Sequence, residues 1–466
     1  MSKRHVIIGS GPAATNACET IRQFESDSSI VLISDEVAHS RMALPYWLSG
    51  QIPREQTHTG DDAYFQKLNV QTLFGKRVDT IDPSSKKVSL NDGSEHEFDD
   101  LLIATGSSPI GLPIPGMDLP GVQPLWSLEH TERALATVGE NTRPRVTLVG
   151  AGFIGCIVLN AMFKRGWDLT VVERDAHVLP RMLNQDAAAH VERWLGSKGV
   201  SVHSGTSVTS IEQNTDGSKS LNLDNGSSVD ADLVIVATGV QPNVQLANSA
   251  GIETDHGILV NDHLQTNYPF IYAAGDVAQG PSLYSPSSEV HAIQTTAVDH
   301  GRIAGANMAG QDIAYPGSLL MNVLDVCGLQ CASFADWSNA NADAMTMSNE
   351  SRPVYRNLLW NDDQITGAIF VGQATDVGML TDVGMVKGIL QTQTRFGPWK
   401  EFLRENPFDI RRAFVAMKVA QKLAATTLIG RPAVGRGYHF KKGANTQSAS
   451  KFHSVYVDSK QAANSE

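Results

Sequence analysis

Gly9 and Gly11, in HVIIGSGPAATNACETIRQF, follow a short apolar run and precede a helix-compatible one that begins at Pro12. Gly9 permits a tight turn there, Gly11 lets backbone approach a pyrophosphate, and the following Ala13 and Ala14 are small. Ala14 lets the helix pack on the strand, while the helix N-terminus offers unpaired N–H groups to an anion. The next apolar run, IVLISDE, ends in Asp35 and Glu36, at the spacing where an acid accepts the hydroxyls of an adenosine ribose. Either residue fits that role, and the other is then solvated. The pattern returns in RVTLVGAGFIGCIVLNAMFKRGWDLTVVERD, where Gly150, Gly152 and Gly155 lie between strand and helix, Phe153 and Ile154 open the helix, and LTVVE ends in Glu173. A carboxylate at Glu173 accepts ribose hydroxyls and repels a 2′-phosphate, which favours NADH over NADPH. Arg174, beside it, opposes that preference by offering a guanidinium to the phosphate.

Two further segments echo each other: FDDLLIATGSSP, with Ala104, Thr105 and Gly106, and DADLVIVATGVQPN, with Thr238 and Gly239. Each reads as a buried strand that breaks at a glycine. FIYAAGDVA then delivers Gly275 and Asp276 to the carboxyl end of a strand, where ligands of open α/β sheets sit. Asp276 is expected either to cap a helix or to touch a ligand.

These motifs need large elements to hold them. A chain of 466 residues exceeds the length at which one hydrophobic core keeps growing, so two or three domains are expected. Hydrophobic residues at 41% and charged residues at 18% exclude a wholly disordered or fibrous class. The formal charge of -12 argues against a nucleic-acid partner, because phosphate binding draws on clustered Lys and Arg. No window holds the roughly 18 apolar residues that a bilayer span needs. The apolar run Val6 to Ile8 reads as a buried strand and not as a signal segment, so a cytoplasmic location is expected. Cys18, Cys156, Cys327 and Cys331 are too few and scattered for a disulfide framework, and no metal site is expected. Cys327 and Cys331, in VCGLQCASF, are expected on the same side of one strand as small core residues.

At these motifs together the sequence resembles the FAD-dependent pyridine nucleotide-disulfide oxidoreductase superfamily, from about Arg4 to Gly378. HSRMALPYWLSG, HAIQTTAVDHGRIAGANMAG and RNLLWNDDQITGAIFVG are most similar to one branch of it. That branch holds NADH oxidases, coenzyme A disulfide reductases, rubredoxin and ferredoxin reductases, and the flavoprotein part of NAD(P)H-dependent nitrite reductase. The resemblance implies an α/β fold of two nested Rossmann-like dinucleotide-binding domains plus an α+β C-terminal interface domain with a helical extension. Residues 1–115 and 246–316 would bind FAD, 116–245 would bind NAD(P), and 317–440 would form the interface domain and extension. Gly9, Gly11, Pro12, Ala13, Ala14, the Asp35/Glu36 pair, Ala104, Thr105, Gly106, Gly275 and Asp276 would then hold FAD, the aspartate at the ribityl chain. Gly150, Gly152, Phe153, Ile154, Gly155, Glu173 and Gly239 would serve the nicotinamide nucleotide.

The chain departs from this family at its redox sulfur. In coenzyme A disulfide reductases and related NADH oxidases a cysteine stands three residues before a proline, whereas here Met42 stands three before Pro45. A thioether has no ionisable proton and forms neither a mixed disulfide nor a sulfenic acid, so disulfide reduction and cysteine-assisted oxygen reduction are excluded. Met42 itself is expected in flexible core packing or as a soft wall against the flavin. By analogy with the lysine of rubredoxin and ferredoxin reductases, Arg41 is the candidate catalytic cation, stabilising charge near the flavin or its phosphates; the alternative is an exposed arginine. Tyr46 and Trp47 are expected in packing or as a wall at the flavin. Ile157 replaces a glutamate that many relatives carry two residues after the last glycine, which alters how the nicotinamide ring seats.

The remaining third reads as alternating strands, similar to the family's interface domain, which supports dimers or abuts the flavin. NPFDIRRAFVAMKVAQKLAATTLIG then reads as one basic amphipathic helix, starting at Asn406 or Pro407 and stopping at Gly430, with Ile410, Phe414, Met417 and Leu428 near one face. It is expected to pack on its own body, with an acidic partner or a membrane surface as alternatives. Residues 441–466 are polar and small-residue-rich and are expected to be flexible. The leading expectation is an enzyme that passes electrons from NADH through FAD to a separate acceptor protein such as a rubredoxin, a ferredoxin or a nitrite-reductase-like component. A peroxide-forming oxidase and a non-catalytic nucleotide sensor are the alternatives.

Overall fold

The computed structural model describes residues 2–424. Leu428, the Gly430 stop and the tail from 441 lie outside the described residues.

The first glycine motif builds a fully parallel five-stranded sheet. Its order is Ile271–Ala273, Asp100–Ile103, Arg4–Ile8, Ser29–Ser34, Val70–Phe74. The second motif builds another: Ser201–His203, Asp168–Val172, Arg145–Val149, Leu233–Val236, Val122–Gln123. The central strands Arg4–Ile8 and Arg145–Val149 are buried at every position after the first, as strands of a sheet covered on both faces must be. The two units agree down to single hydrogen bonds. Gly9 N–H donates to Ile33 O and Ala104 N–H to Ile8 O, as Gly150 N–H donates to Val172 O and Ala237 N–H to Val149 O, each at 2.8 Å. The strand Ile271–Ala273 returns to the first sheet after the whole second sheet has been built.

The echoing ATG segments meet in space. Ser107–Pro109 pairs antiparallel with Val240–Pro242, and the Asn243 side-chain amide donates to Thr105 O at 2.8 Å, so equivalent turns join the two units. In the first unit, helix Pro12–Phe24 lies backbone to backbone on helix Gln294–Met308. A Cβ on Gly301 would sit 2.2 Å from Ala13 O, and one on Gly305 2.8 Å from Ala17 O. That approach brings both helix N-termini to one cavity.

The C-terminal sheet is antiparallel, ordered Met321–Val326, Leu329–Ala335, Gln364–Gln373, Val354–Asn361, Asp343–Asn349. One face shares a core with the second unit through Leu324, Val326, Cys331 and Tyr355, and the other face is covered by helix Val377–Gln391.

Two expectations are corrected. Cys327 and Cys331 do not share a strand: Cys327 and Gly328 form a tight turn with φ of 53° and 90°, flanked by the paired Val326 and Leu329. Positive φ at both turn residues is what the type I′ form of a two-residue hairpin demands, and glycine at the second adopts it without steric cost. The single C-terminal helix is in fact Ile410–Ala416 and Val419–Ala424, broken at Lys418 with φ of 54°. The break lets Ile410, Ala413 and Val419 all enter the core beneath helix Val377–Gln391, so this segment packs on its own body.

Candidate functional site

One cavity of about 1280 Å³ takes in both glycine turns. It exceeds the roughly 300–1,000 Å³ of a single small-molecule pocket. Helix Pro12–Phe24 starts from Gly11 at φ -74°, ψ -174°, and helix Phe153–Lys164 starts from Gly152 at φ -74°, ψ -172°, neither with a side-chain cap. Their first-turn N–H groups are therefore left for a ligand.

The glycines divide by role. A Cβ on Gly11 or Gly152 would meet nothing within 4 Å, so the missing side chain leaves open cavity where a pyrophosphate must come close. A Cβ on Gly9 would lie 2.2 Å from Ala104 O, and one on Gly150 2.5 Å from Ala237 O; these two are needed by the backbone itself. Ala14 and Gly155 do not reach the cavity. Ala14 is fully buried, and a Cβ on Gly155 would meet Gly150 O at 2.2 Å, so both serve helix–strand packing behind the turn. Pro12, Ala13, Phe153, Ile154, Ala104, Thr105, Gly106, Gly239, Gly275 and Asp276 line the cavity together. Two uncapped helix ends, each over open space and each near a terminal acid, fit two dinucleotides.

Both acids of the pair line the cavity: Asp35 is exposed, and Glu36 is half-buried with its Oε2 3.6 Å from Arg41 Nη2 and 3.9 Å from His39 Nε2. Buried His39 donates from Nδ1 to Val37 O at 2.9 Å, which leaves its buried Nε2 as an acceptor without a hydrogen-bond partner. Burial lowers its pKa and keeps it neutral. In the second cradle Glu173 is buried, and its carboxylate accepts from Ala151 N–H at 2.6 Å and from Asp175 N–H at 2.8 Å. Glu173 lines the cavity, and each carboxylate oxygen keeps a further lone pair for a ligand. Arg174 also lines it, pointing largely into solvent with Asp175 3.5 Å away.

Arg41 is a fixed cation rather than a free surface group. Its Nη1 donates to Trp126 O at 2.9 Å and its guanidinium stacks 4.9 Å from the Trp126 ring centre. Trp126 Nε1–H in turn donates to Ser107 O, and Ser107 Oγ donates to Asp276 Oδ2, both at 2.9 Å. Arg41 and Asp276 thus stand at the two ends of one hydrogen-bonded chain. Asp276 lies inside the turn Gly275–Val277 and caps no helix. Burial raises its pKa, with Ser107 and Arg41 opposing. Neither Trp126 nor Ser107 was among the residues singled out from sequence, although Ser107 directly follows the ATG motif. His291 was missed too: it lines the cavity, with Nε2 donating to Glu289 Oε2 at 2.8 Å and Nδ1 accepting from Ser318 Oγ.

Met42 is on the cavity wall and 42% exposed, so it is not core packing. Tyr46 and Trp47 do not line the cavity, whereas Ile157 does. All four cysteines are buried away from it, and burial pushes the Cys18 and Cys327 thiols up to about 12 and raises Cys156 and Cys331 as well. No thiolate faces the site.

A family model described as pyridine nucleotide-disulphide oxidoreductase matches residues 3–299, and the chain belongs to that family. It is an FAD-dependent NAD(P)H oxidoreductase. It is 35% identical over 322 residues to an NADH oxidase of Methanocaldococcus jannaschii, covering 67% of this chain and 71% of that protein. A rhodocoxin reductase of Rhodococcus erythropolis is 32% identical over 314 residues, covering 66% and 73%. Among solved structures, an NAD-dependent persulfide reductase from A. fulgidus superposes with a TM-score of 0.77 at 28% identity, covering 85% of this chain and 78% of that one. Among the described residues no helix is long and apolar enough to cross a membrane.

Proposed function

We propose that the chain takes electrons from NADH in preference to NADPH and delivers them, through FAD in the first cradle, to a separate small redox protein of the rubredoxin, ferredoxin or nitrite-reductase-component kind. The observation that carries this reading is the absence of a thiol at the cavity: Met42 occupies the wall and every cysteine is buried elsewhere. With no sulfur relay in the chain, the acceptor itself must come to the site. The 32% identity to a rhodocoxin reductase supports a protein acceptor.

Bound NAD(P)H supplies a hydride, and bound FAD accepts it and can release electrons singly or in pairs. The chain's own residues position and bias that exchange. Gly11 and Gly152 admit the two pyrophosphates to the helix ends, and Glu36 and Glu173 offer carboxylate oxygens to ribose hydroxyls. Arg41, clamped by Trp126, presents a positive charge that needs no reorganisation when negative charge develops nearby. The NADH preference rests on Glu173, because its anchored carboxylate cannot swing away from a 2′-phosphate while Arg174 is drawn to Asp175.

Anaerobic stopped-flow mixing of the FAD-loaded chain with each nicotinamide tests this reading. Fast flavin bleaching by NADH, slower bleaching by NADPH and reoxidation by a small iron-sulfur or rubredoxin protein are expected; no bleaching with either nucleotide would sink it. The 35% identity to an NADH oxidase favours a second reading, direct reduction of oxygen to hydrogen peroxide. Peroxide formed mole for mole with NADH, at a rate that a protein acceptor leaves unchanged, would select the oxidase.

A further inference from the structure

Met42 is the most exposed methionine among the described residues. It is 42% exposed, whereas Met162, Met182, Met308 and Met379 are fully buried and Met117, Met321, Met345, Met347, Met385 and Met417 are at most half-buried. The thiols do not compete for an oxidant, since all four are buried and burial holds them protonated. Three methionines line the cavity, and Met42 is the exposed one: Met182 is buried and Met321 is half-buried.

Its place makes that consequential. The turn Arg41–Ala43 and the helix Leu44–Leu48 bridge the two cradles. On one side Arg41 reaches Glu36; on the other the helix packs on Phe153–Lys164, and Arg165 Nε donates to Leu48 O. Arg41, Met42, Leu44 and Pro45 of this bridge line the cavity, and Met42, 42% exposed, is the one that carries sulfur.

We propose that Met42 is a reversible oxidation site, converted by hydrogen peroxide to methionine sulfoxide, and that the sulfoxide slows electron delivery to acceptors entering this cavity. The sulfur lone pair attacks one peroxide oxygen, an S–O bond forms as the O–O bond breaks, and the departing oxygen takes the remaining proton and leaves as water. The thioether loses two electrons and the peroxide gains two, so no further reductant is required. The product replaces a soft apolar side chain of the wall by a strongly dipolar S=O group, one residue along the chain from Arg41, changing what an apolar acceptor surface or ring can approach.

The slowing, though not the oxidation, rests on the function proposed above, so the test has two arms. In the first, the full chain loaded with FAD is treated with limiting hydrogen peroxide and digested, and its methionine peptides are followed by mass spectrometry. The Met42 peptide should gain an oxygen atom several-fold faster than those carrying Met345, Met347 or Met417, and methionine sulfoxide reductases should remove it. Oxidation of Met42 no faster than these half-buried methionines would overturn the proposal whatever the chain's activity. In the second arm, reduction of ferricyanide by NADH through the chain should fall several-fold after the same treatment and recover on repair, while M42L shows no such fall. A sulfoxide that leaves ferricyanide reduction unchanged, or an equal fall in M42L, would also overturn it. Absence of any flavin bleaching before treatment would instead reject the proposed function and leave the oxidation arm standing.

Discussion

The Glu173 carboxylate is bonded to the backbone N–H of Ala151 at 2.6 Å, so the acid that ends one strand also braces the glycine turn that ends its neighbour. The same side chain is asked to hold a ligand and to hold the cradle. Glu173→Gln keeps the size but opposes an amide NH₂ to one of the two N–H donors, Ala151 or Asp175. A buried N–H left unpaired costs about 1–3 kcal/mol. The variant should therefore melt at lower temperature and lose discrimination between NADH and NADPH while retaining FAD. Thermal denaturation, flavin content and the ratio of bleaching rates with the two nucleotides check it; an unchanged melting point with altered discrimination would show that the bracing contributes nothing.

The glycines allow the two cradles to be disabled separately. Gly11→Ala and Gly152→Ala place a methyl in open space at ordinary φ, so both variants should fold. Gly11→Ala should purify without FAD, and Gly152→Ala should keep its flavin but bleach several-fold more slowly with NADH. Gly9→Ala and Gly150→Ala drive a methyl against a carbonyl oxygen at positive φ and should fail to accumulate as folded protein. Soluble yield, flavin absorbance and NADH bleaching separate the four outcomes.

How much of this was legible in the sequence depends on the range of the interaction that sets each position. Gly9, Gly11, Gly150 and Gly152 were readable because turn and helix start are local events. Met42 was readable as a lost thiol, but its exposure was not, since that depends on how the bridge lies across two distant units. Nothing near Lys418 breaks a helix by composition; the break follows from both halves burying apolar residues under one helix. The chain from Arg41 through Trp126 and Ser107 to Asp276 joins four segments and left no periodic trace. Ala14 and Gly155 were identified as parts of the right motif, yet they stand behind the surface that meets the ligand.

Asp276 should show a pH-dependent conflict between stability and cofactor binding. Burial raises its folded pKa above the usual 3.8, so its contribution is fully present in acid, below the unfolded value, and is lost as pH rises through the folded pKa. At neutral pH the ionised, buried group destabilises the cofactor-free chain. Asp276→Asn, which can still accept from Ser107, should raise the melting temperature of FAD-free protein at about pH 8 and change it little at about pH 4. It should also release FAD more readily. A variant no more stable at the higher pH, or one that binds FAD as tightly as the parent, would contradict this account.

The contact between the C-terminal sheet and helix Val377–Gln391 offers a stability test that leaves the cavity alone. Arg356 and Asp382 form a buried pair at 2.5 Å, with side chains only 7% and 8% exposed. Burial still outweighs the guanidinium at Asp382 and raises its pKa, so the pair stands in surroundings that barely tolerate charge. Removing one partner strands the other: Arg356→Met or Asp382→Leu should each cost about 3–5 kcal/mol in denaturant unfolding. The double variant should recover most of that loss, because two apolar side chains of similar volume need no solvation. Neither residue lines the flavin cavity, so the NADH bleaching rate of the folded fraction should match the parent in all three proteins. Additive losses in the double variant would mean that the two side chains act through other neighbours and not through each other.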